Sequence, residues 1–236
     1  SVIAPIIIPF LIMMAIGPKI GWIKQKYNDF KSLIFILILS CAINFFIFIF
    51  FKSYNLLSNL IIISSLFLII HSLKDFIINS KTKSYYNLPS FLSHTGFGIL
   101  MLFIILNHNF SKEYDLNIKV GETKKIDNIE INFKNLKIEK RENYNVIIGN
   151  FNILDTKKKY QKNLNPEIRI YDNPQTLTFE SAIKTNLQQD LYLTMSNIDG
   201  SDFYNVKFQI KPFMLWIWFA SFLTASGGLL RTFLKK

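Results

Sequence analysis

The 236-residue chain has one cysteine, Cys41, in the middle of an apolar run. A lone thiol excludes an internal disulfide and a thiolate metal cluster, and Cys41 reads as a small packing residue. No C-x-x-C-H occurs, so the chain is not itself a c-type cytochrome. It also has no Walker loop, H-E-x-x-H or G-x-S-x-G, and so no sign of those nucleotide-binding and hydrolytic chemistries. Acidic residues are scarce outside one stretch. Of the 16 Asp and Glu, 14 lie between His108 and Lys211, where 16 Lys and Arg accompany them; the rest of the chain has 11 basic residues against 2 acidic. The formal charge of +11 is therefore not that of a nucleic-acid-binding surface, which would show a basic stripe with interleaved aromatics. No nucleic-acid partner is expected. The excess clusters at the ends of apolar runs, as topology-setting charges do in membrane proteins.

Apolar residues are abundant. Half the chain is hydrophobic, with 23 Phe, and the runs approach the roughly 20 residues that span a bilayer. Five segments stand out: Val2–Ile16, Leu33–Phe51, Leu57–Leu73, Pro89–Leu106 and Pro212–Leu230. Lys19, Lys24, Lys26 and Lys31 separate the first two, and Lys74, Lys81 and Lys83 the third and fourth. Arg231, Lys235 and Lys236 follow the fifth, whereas the second and third are joined through Lys52 alone. Alternating spans put the three basic stretches on the inside, with Ser1 and the long insert outside. Gly17-Pro18 ends the first helix, Pro212 suits the first turn of the fifth, and Gly227-Gly228 permits close packing. Trp22, Trp216 and Trp218 mark interfacial belts. The chain opens at Ser1 directly onto apolar residues, without the charged n-region of a signal peptide. It reads as the C-terminal part of a larger multipass protein, or a processed or split version of one.

The insert has a different period. In Asn128–Ile138, Ile129, Ile131 and Phe133 alternate with Glu130 and Asn132; later, Val206, Phe208 and Ile210 alternate with Lys207, Gln209 and Lys211. Period two marks half-buried strands. Further strands are expected at Leu116–Val120, Asn145–Leu154, Glu167–Tyr171, Leu177–Ser181 and Leu191–Ser196, with Thr156–Pro166 an exposed loop. Seven short strands suggest a small sandwich or barrel. The fold class is thus a polytopic α-helical membrane protein of about five transmembrane helices with an inserted extracytoplasmic all-β domain. Its domains are a four-helix membrane region at 1–110, the β domain at 111–211, and a fifth helix with a basic cytoplasmic tail at 212–236.

Three histidines carry the candidate chemistry. His108, at the outer end of the fourth segment, is interfacial. His71, near the inner end of the third, can snorkel toward headgroups. His94 lies at membrane depth, where a polar group is costly and suggests function. Two readings stand: a hydrogen bond to a neighbouring helix, or axial ligation of a haem iron by neutral imidazole. Gly98, four residues on, shares a helix face with His94 and would let a flat macrocycle approach. His71 and His94 have compatible depths, so His71 is a secondary candidate for an internal ligand pair.

Five stretches, in order, resemble the C-terminal third of the CcmF/NrfE haem-lyase family: "PFLIMMAIGPKIGW", "LSHTGFGILML", "NPEIRIYDNPQTLTFESAI", "DLYLTMSN" and "KPFMLWIWFASFLTASGGLL". The chain departs from the family at Ile168, where a basic residue is usual, and at Leu215, where Arg is common; the tryptophan-rich haem-handling segment is absent from these residues. The resemblance implies a part in covalent haem attachment to apocytochrome c at a bacterial or mitochondrial inner membrane. It also implies that His94 is one axial ligand of a membrane haem b, the other coming from an N-terminal haem-lyase portion or subunit. Haem is then both cofactor and substrate. The implied partners are that N-terminal portion, a haem chaperone, apocytochrome c, its thiol-reducing maturation proteins, and lipid. This segment alone is not expected to be active. The alternative is a non-enzymatic membrane-anchored interaction or transporter subunit whose β domain docks a partner.

Overall fold

The computed structural model describes residues 4–17, 30–51, 55–156 and 160–234, with side chains described there except at 4, 50–51, 79–87 and 160. Pro18, Trp22, Lys19, Lys24, Lys26, Lys52, Lys235 and Lys236 lie outside the described residues. The chain divides into two compact units, one of residues 1–109 with 213–236 and the other of residues 110–212.

The first unit is helical: α1 (Ala4–Ile16), α2 (Phe30–Phe51), α3 (Leu56–Phe110) and α4 (Met214–Phe233). α3 is a folded-back segment, not a straight rod. A straight helix would set Ser58 and Asn109 about 75 Å apart at about 1.5 Å per residue, yet Ser58 Oγ lies 3.3 Å from Asn109 Oδ1. The Phe76 and Phe91 rings stack at 4.3 Å, and a side chain added at Gly98 would meet Ile69. These three contacts share one antiparallel register, so the chain reverses between Ile78 and Leu88. The arms, Leu56–Ile78 and Leu88–Phe110, are each long and apolar enough to cross a membrane, as is Phe30–Ile49 of α2. Among the described residues, three stretches meet that standard where five were expected. α1 is only 13 residues long, and α4 interrupts its apolar face with Ser221, Thr224, Ser226, Gly227, Gly228 and Arg231.

Leu11 and Ala15 of α1, Ile36 of α2, and Phe67 and Leu68 of the first arm form the unit's core, with Phe97 and Met101 of the second arm against it. α4 packs on the second arm through small residues. A Cβ at Gly96 would lie 2.7 Å from the Thr224 backbone N, and one at Gly227 2.7 Å from the Pro89 carbonyl oxygen, so the helix backbones meet closely. Gly228 faces open space. Pro212 closes the last strand instead of opening α4. The turn falls on Phe213, which adopts a left-handed φ of 64° and rests against Phe103, with ring centroids 5.4 Å apart.

The second unit is a two-sheet antiparallel sandwich. One sheet orders β1 (Lys112–Lys119), β10 (Phe203–Pro212), β9 (Gln189–Asn197) and β8 (Ala182–Thr185). The other orders β2 (Thr123–Ile126), β3 (Ile129–Lys140), β4 (Tyr144–Asp155), β6 (Glu167–Asp172) and β7 (Gln175–Glu180), with β5 (Tyr160–Leu164) on β4 beside β6. The inward alternation of Ile129, Ile131 and Phe133 against Phe151 and Ile153, and of Val206 and Phe208 against Leu193 and Met195, builds its core. β2 and β8 are short strands missed by the periodicity. β5 replaces part of the expected loop Thr156–Pro166, anchored by Leu164 at 3% exposure among lysines.

Candidate functional site

The second arm of α3 presents two working faces. Pro89, Ser93 and Gly96 meet α4. Phe91 and Gly98 meet the first arm at Phe76 and Ile69. His94, three residues from one and four from the other, lies on that second face and is half-buried. Among the described residues its imidazole makes no hydrogen bond or ring contact; Asp75 lies within electrostatic reach. The strip over Gly98 is occupied. Ile69 and the Ser65 carbonyl fill it, so that glycine serves contact between the arms instead of leaving room for a flat ring.

His71 is in a different setting. Its residue exposure is 2%, its ring stacks on Phe67 with centroids 6.0 Å apart, and its Nδ1 lies 3.5 Å from Asp75 Oδ2. His71 thus points into the bundle instead of snorkelling to a headgroup. His108 is exposed at the end of the second arm. Cys41, expected to pack, is exposed on α2.

Asp75 is the residue the sequence reading missed. It is the only acidic side chain among the described residues of this unit. Two signals were available: it is one of two acids outside the insert, and H-x-x-x-D puts it one helical turn from His71. The seven-residue spacing of Ser58, Ser65 and Ser72 also went unread, though all three are buried. Ser65 Oγ and Thr95 Oγ1 have no hydrogen-bond partner among the described residues.

The insert's carboxylates form a mostly paired, solvated face. Glu113 pairs with Lys207, and hydrogen bonding to that lysine holds its carboxyl below the ordinary range. Arg169 bridges Glu167 at 2.8 Å and lies 5.3 Å from the Tyr144 ring. Burial, with a bond to Asp127, pushes the Tyr114 hydroxyl up to about 12. Asp155 and Asp190 are exceptions, exposed by only 7% and 5%.

Residues 109–212 match the family model described as the CcmF C-terminal beta-sandwich. The chain is similar to the C-terminal part of CcmF proteins. It is 26% identical, over 98% of its length, to the cytochrome c-type biogenesis protein CcmF of Haemophilus influenzae, of which it covers 37%. Against CcmF of Pseudomonas fluorescens it is 29% identical over 63% of its length, 22% of that protein. A solved structure named Cytochrome c Heme Lyase CcmF superposes with a TM-score of 0.80 at 15% identity, covering all of this chain and 40% of that one. The chain therefore spans well under half the length of these CcmF proteins, and the shared fold joins the helical unit to the sandwich.

The donor set of the helical unit would supply one ligand to a haem iron and not two. His94 offers a neutral imidazole on a half-open face, whereas His71 is closed in by Phe67 and its tie to Asp75. No group of three or more His, Cys, Asp or Glu side chains gathers among the described residues.

Proposed function

We propose that this chain is the C-terminal part of a membrane haem lyase that joins haem vinyl groups to the two thiols of an apocytochrome C-x-x-C-H. The observation that carries the reading is the CcmF sandwich in series with helices whose likeness to CcmF extends over 98% of the chain. In this reading the chain crosses the membrane five times and the sandwich lies on the periplasmic or outer side, as the basic residues between apolar segments favour. The sandwich docks or braces partners: apocytochrome, the thiol-reducing maturation proteins, and a haem chaperone. The upstream haem-lyase portion supplies the haem-receiving surface.

Within the membrane, His94 would hold a b-type haem together with a residue of the upstream portion. When bound, that haem supplies one-electron chemistry that keeps the transferred iron reduced. This chain's residues place the ligand: the Phe76–Phe91 stack on one side of His94 and the Ile69–Gly98 contact on the other hold its helix against the first arm. The rival, a helix-bonding histidine in a non-enzymatic anchor, has no hydrogen bond of His94 among the described residues in its favour.

The test is the reduced absorbance spectrum of the purified full-length protein. A b-type Soret and α band, lost in His94→Ala, is expected. A colourless, well-folded complex leaves the non-enzymatic anchor. Restored cytochrome c maturation in cells lacking the lyase tests the attachment reaction.

A further inference from the structure

The two sheets of the sandwich end in four outer strands, and a soluble domain ordinarily blunts such edges with charge. Three of them carry lysine: Lys112 and Lys119 on β1, Lys184 on β8, and Lys124 and Lys125 on β2. β7, Gln-Thr-Leu-Thr-Phe-Glu, does not. Its one charge, Glu180, lies 3.8 Å from Arg169. β6 pairs with one edge of β7, and among the described residues no strand pairs with the other. Leu177 and Phe179, two residues apart and so on one face, are 47% and 44% exposed. Leu177 also borders a cavity of about 330 Å³, lined by Ile147, Ile168 and Ile170 on its own sheet and by the β9–β10 turn, Asp199 included, on the other. The register sets that turn at the end of the smaller sheet opposite Lys112 and Pro212, where the chain enters and leaves the sandwich. Asp199 is exposed, as is Asp172, two residues beyond Ile170 on β6. Among the described residues neither carboxylate forms an ion pair, although Asp199 accepts a hydrogen bond from Asn197.

We infer that β7 receives an extended segment of apocytochrome as an added strand, its apolar side chains packing on Leu177 and Phe179 and into the cavity, with a flanking basic residue meeting Asp172 and Asp199. The inference deepens the reading that the sandwich docks apocytochrome, and rests on it. A polypeptide presented for attachment must be open around C-x-x-C-H, because both thiols have to reach the vinyl groups. An open chain has unpaired backbone groups to offer an edge. Strand addition then draws its affinity from main-chain hydrogen bonds, which are indifferent to sequence, while the pocket selects the side chains. The two carboxylates give the mouth the charge that a basic segment complements.

The test titrates the full-length, detergent-solubilised protein with a reduced, haem-free apocytochrome and follows amide hydrogen exchange. New protection is expected at residues 175–180. Leu177→Lys, which gives β7 the charge its fellow edges have, is expected to keep the unliganded exchange pattern and weaken binding about tenfold. Asp199→Asn weakens it less and reduces its salt dependence. Ile183→Lys, at an exposed position on the edge strand β8, binds as the wild type does. Undiminished binding by Leu177→Lys, or bound apocytochrome without new protection at β7, overturns the inference. Protection of β7 that rises with the concentration of this protein alone also overturns it, because the occupant is then a second copy. Absence of apocytochrome binding overturns it too. The haem-lyase reading is judged separately, by the reduced spectrum and by restored cytochrome c maturation, so the two can fail independently.

Discussion

The two units are built inside out relative to each other. In the sandwich the fully buried side chains are Phe133, Phe151, Phe208 and aliphatics, while lysines and glutamates pair outside. In the helical unit Phe35, Ile38, Phe45, Trp218 and Phe222 are more than 60% exposed, and among the described residues eight of the eleven buried polar ones are here: Ser40, Asn44, Ser58, Ser64, Ser65, His71, Ser72 and Thr95. Water drives the first arrangement, since burying apolar area is what stabilises a soluble core. Lipid removes that drive, so helices associate through small residues and polar contacts while apolar side chains face outward. The lesson is that burial has opposite meanings in the two units. A buried Phe in the sandwich is ordinary packing, whereas a buried histidine in the bundle, such as His71, calls for a functional account.

The sharpest way to break this contrast is to truncate the sandwich core. Phe133 and Phe151 stack at 4.1 Å and are at most 1% exposed. Phe151→Ala is expected to cost about 3–5 kcal/mol, read as lost protease resistance of residues 110–212 in the detergent-solubilised protein; unchanged cleavage would refute a conventional core there. A smaller effect is expected where helices touch. Gly227→Val drives a side chain against Ser93 N and the Pro89 carbonyl, costing about 1–3 kcal/mol, whereas Gly228→Val meets open space. Equal melting temperatures for the two variants would deny that α4 seats on the second arm.

The smallest effect concerns a polar group buried in the wrong unit. Burial raises the Asp190 carboxyl above its ordinary value, despite opposing bonds from Thr185 and Tyr192. The folded state then holds the proton more tightly than the unfolded chain, so stability falls as pH climbs from the ordinary carboxylate range through the raised folded value. Asp190→Asn should flatten that slope and leave the protein slightly more stable at neutral pH. A thermal melting series across pH 3–7 checks it, and an unchanged slope would place the source of the pH dependence elsewhere.

Much of the sandwich was legible because water imposes a simple rule on each strand. The alternation in Asn128–Ile138 holds through Phe133. It then fails at a register shift between Phe133 and Asn135 that leaves Ile138 78% exposed. β5 was illegible because one inward residue, Leu164, is too short a pattern to stand out among lysines. In the helical unit the spans could be read, but not their faces. Uniformly apolar helices such as α2 have almost no amphipathic signal, so which side meets a neighbour is unwritten locally. That is why Gly98 read as an open strip and proved to be filled by Ile69.

Length and hydrophobicity alone determined that this chain has membrane-spanning segments interrupted by a β domain, because a bilayer demands long apolar runs and a half-buried strand demands alternation. The resemblance to CcmF proteins was also written in the order of its motifs. Only the tertiary structure decided which side chains meet. The fold-back of α3 brings Phe76 onto Phe91 across fifteen residues of chain and seats Ile69 over Gly98. That juxtaposition depends on the register between two arms, a non-local quantity that no local pattern encodes.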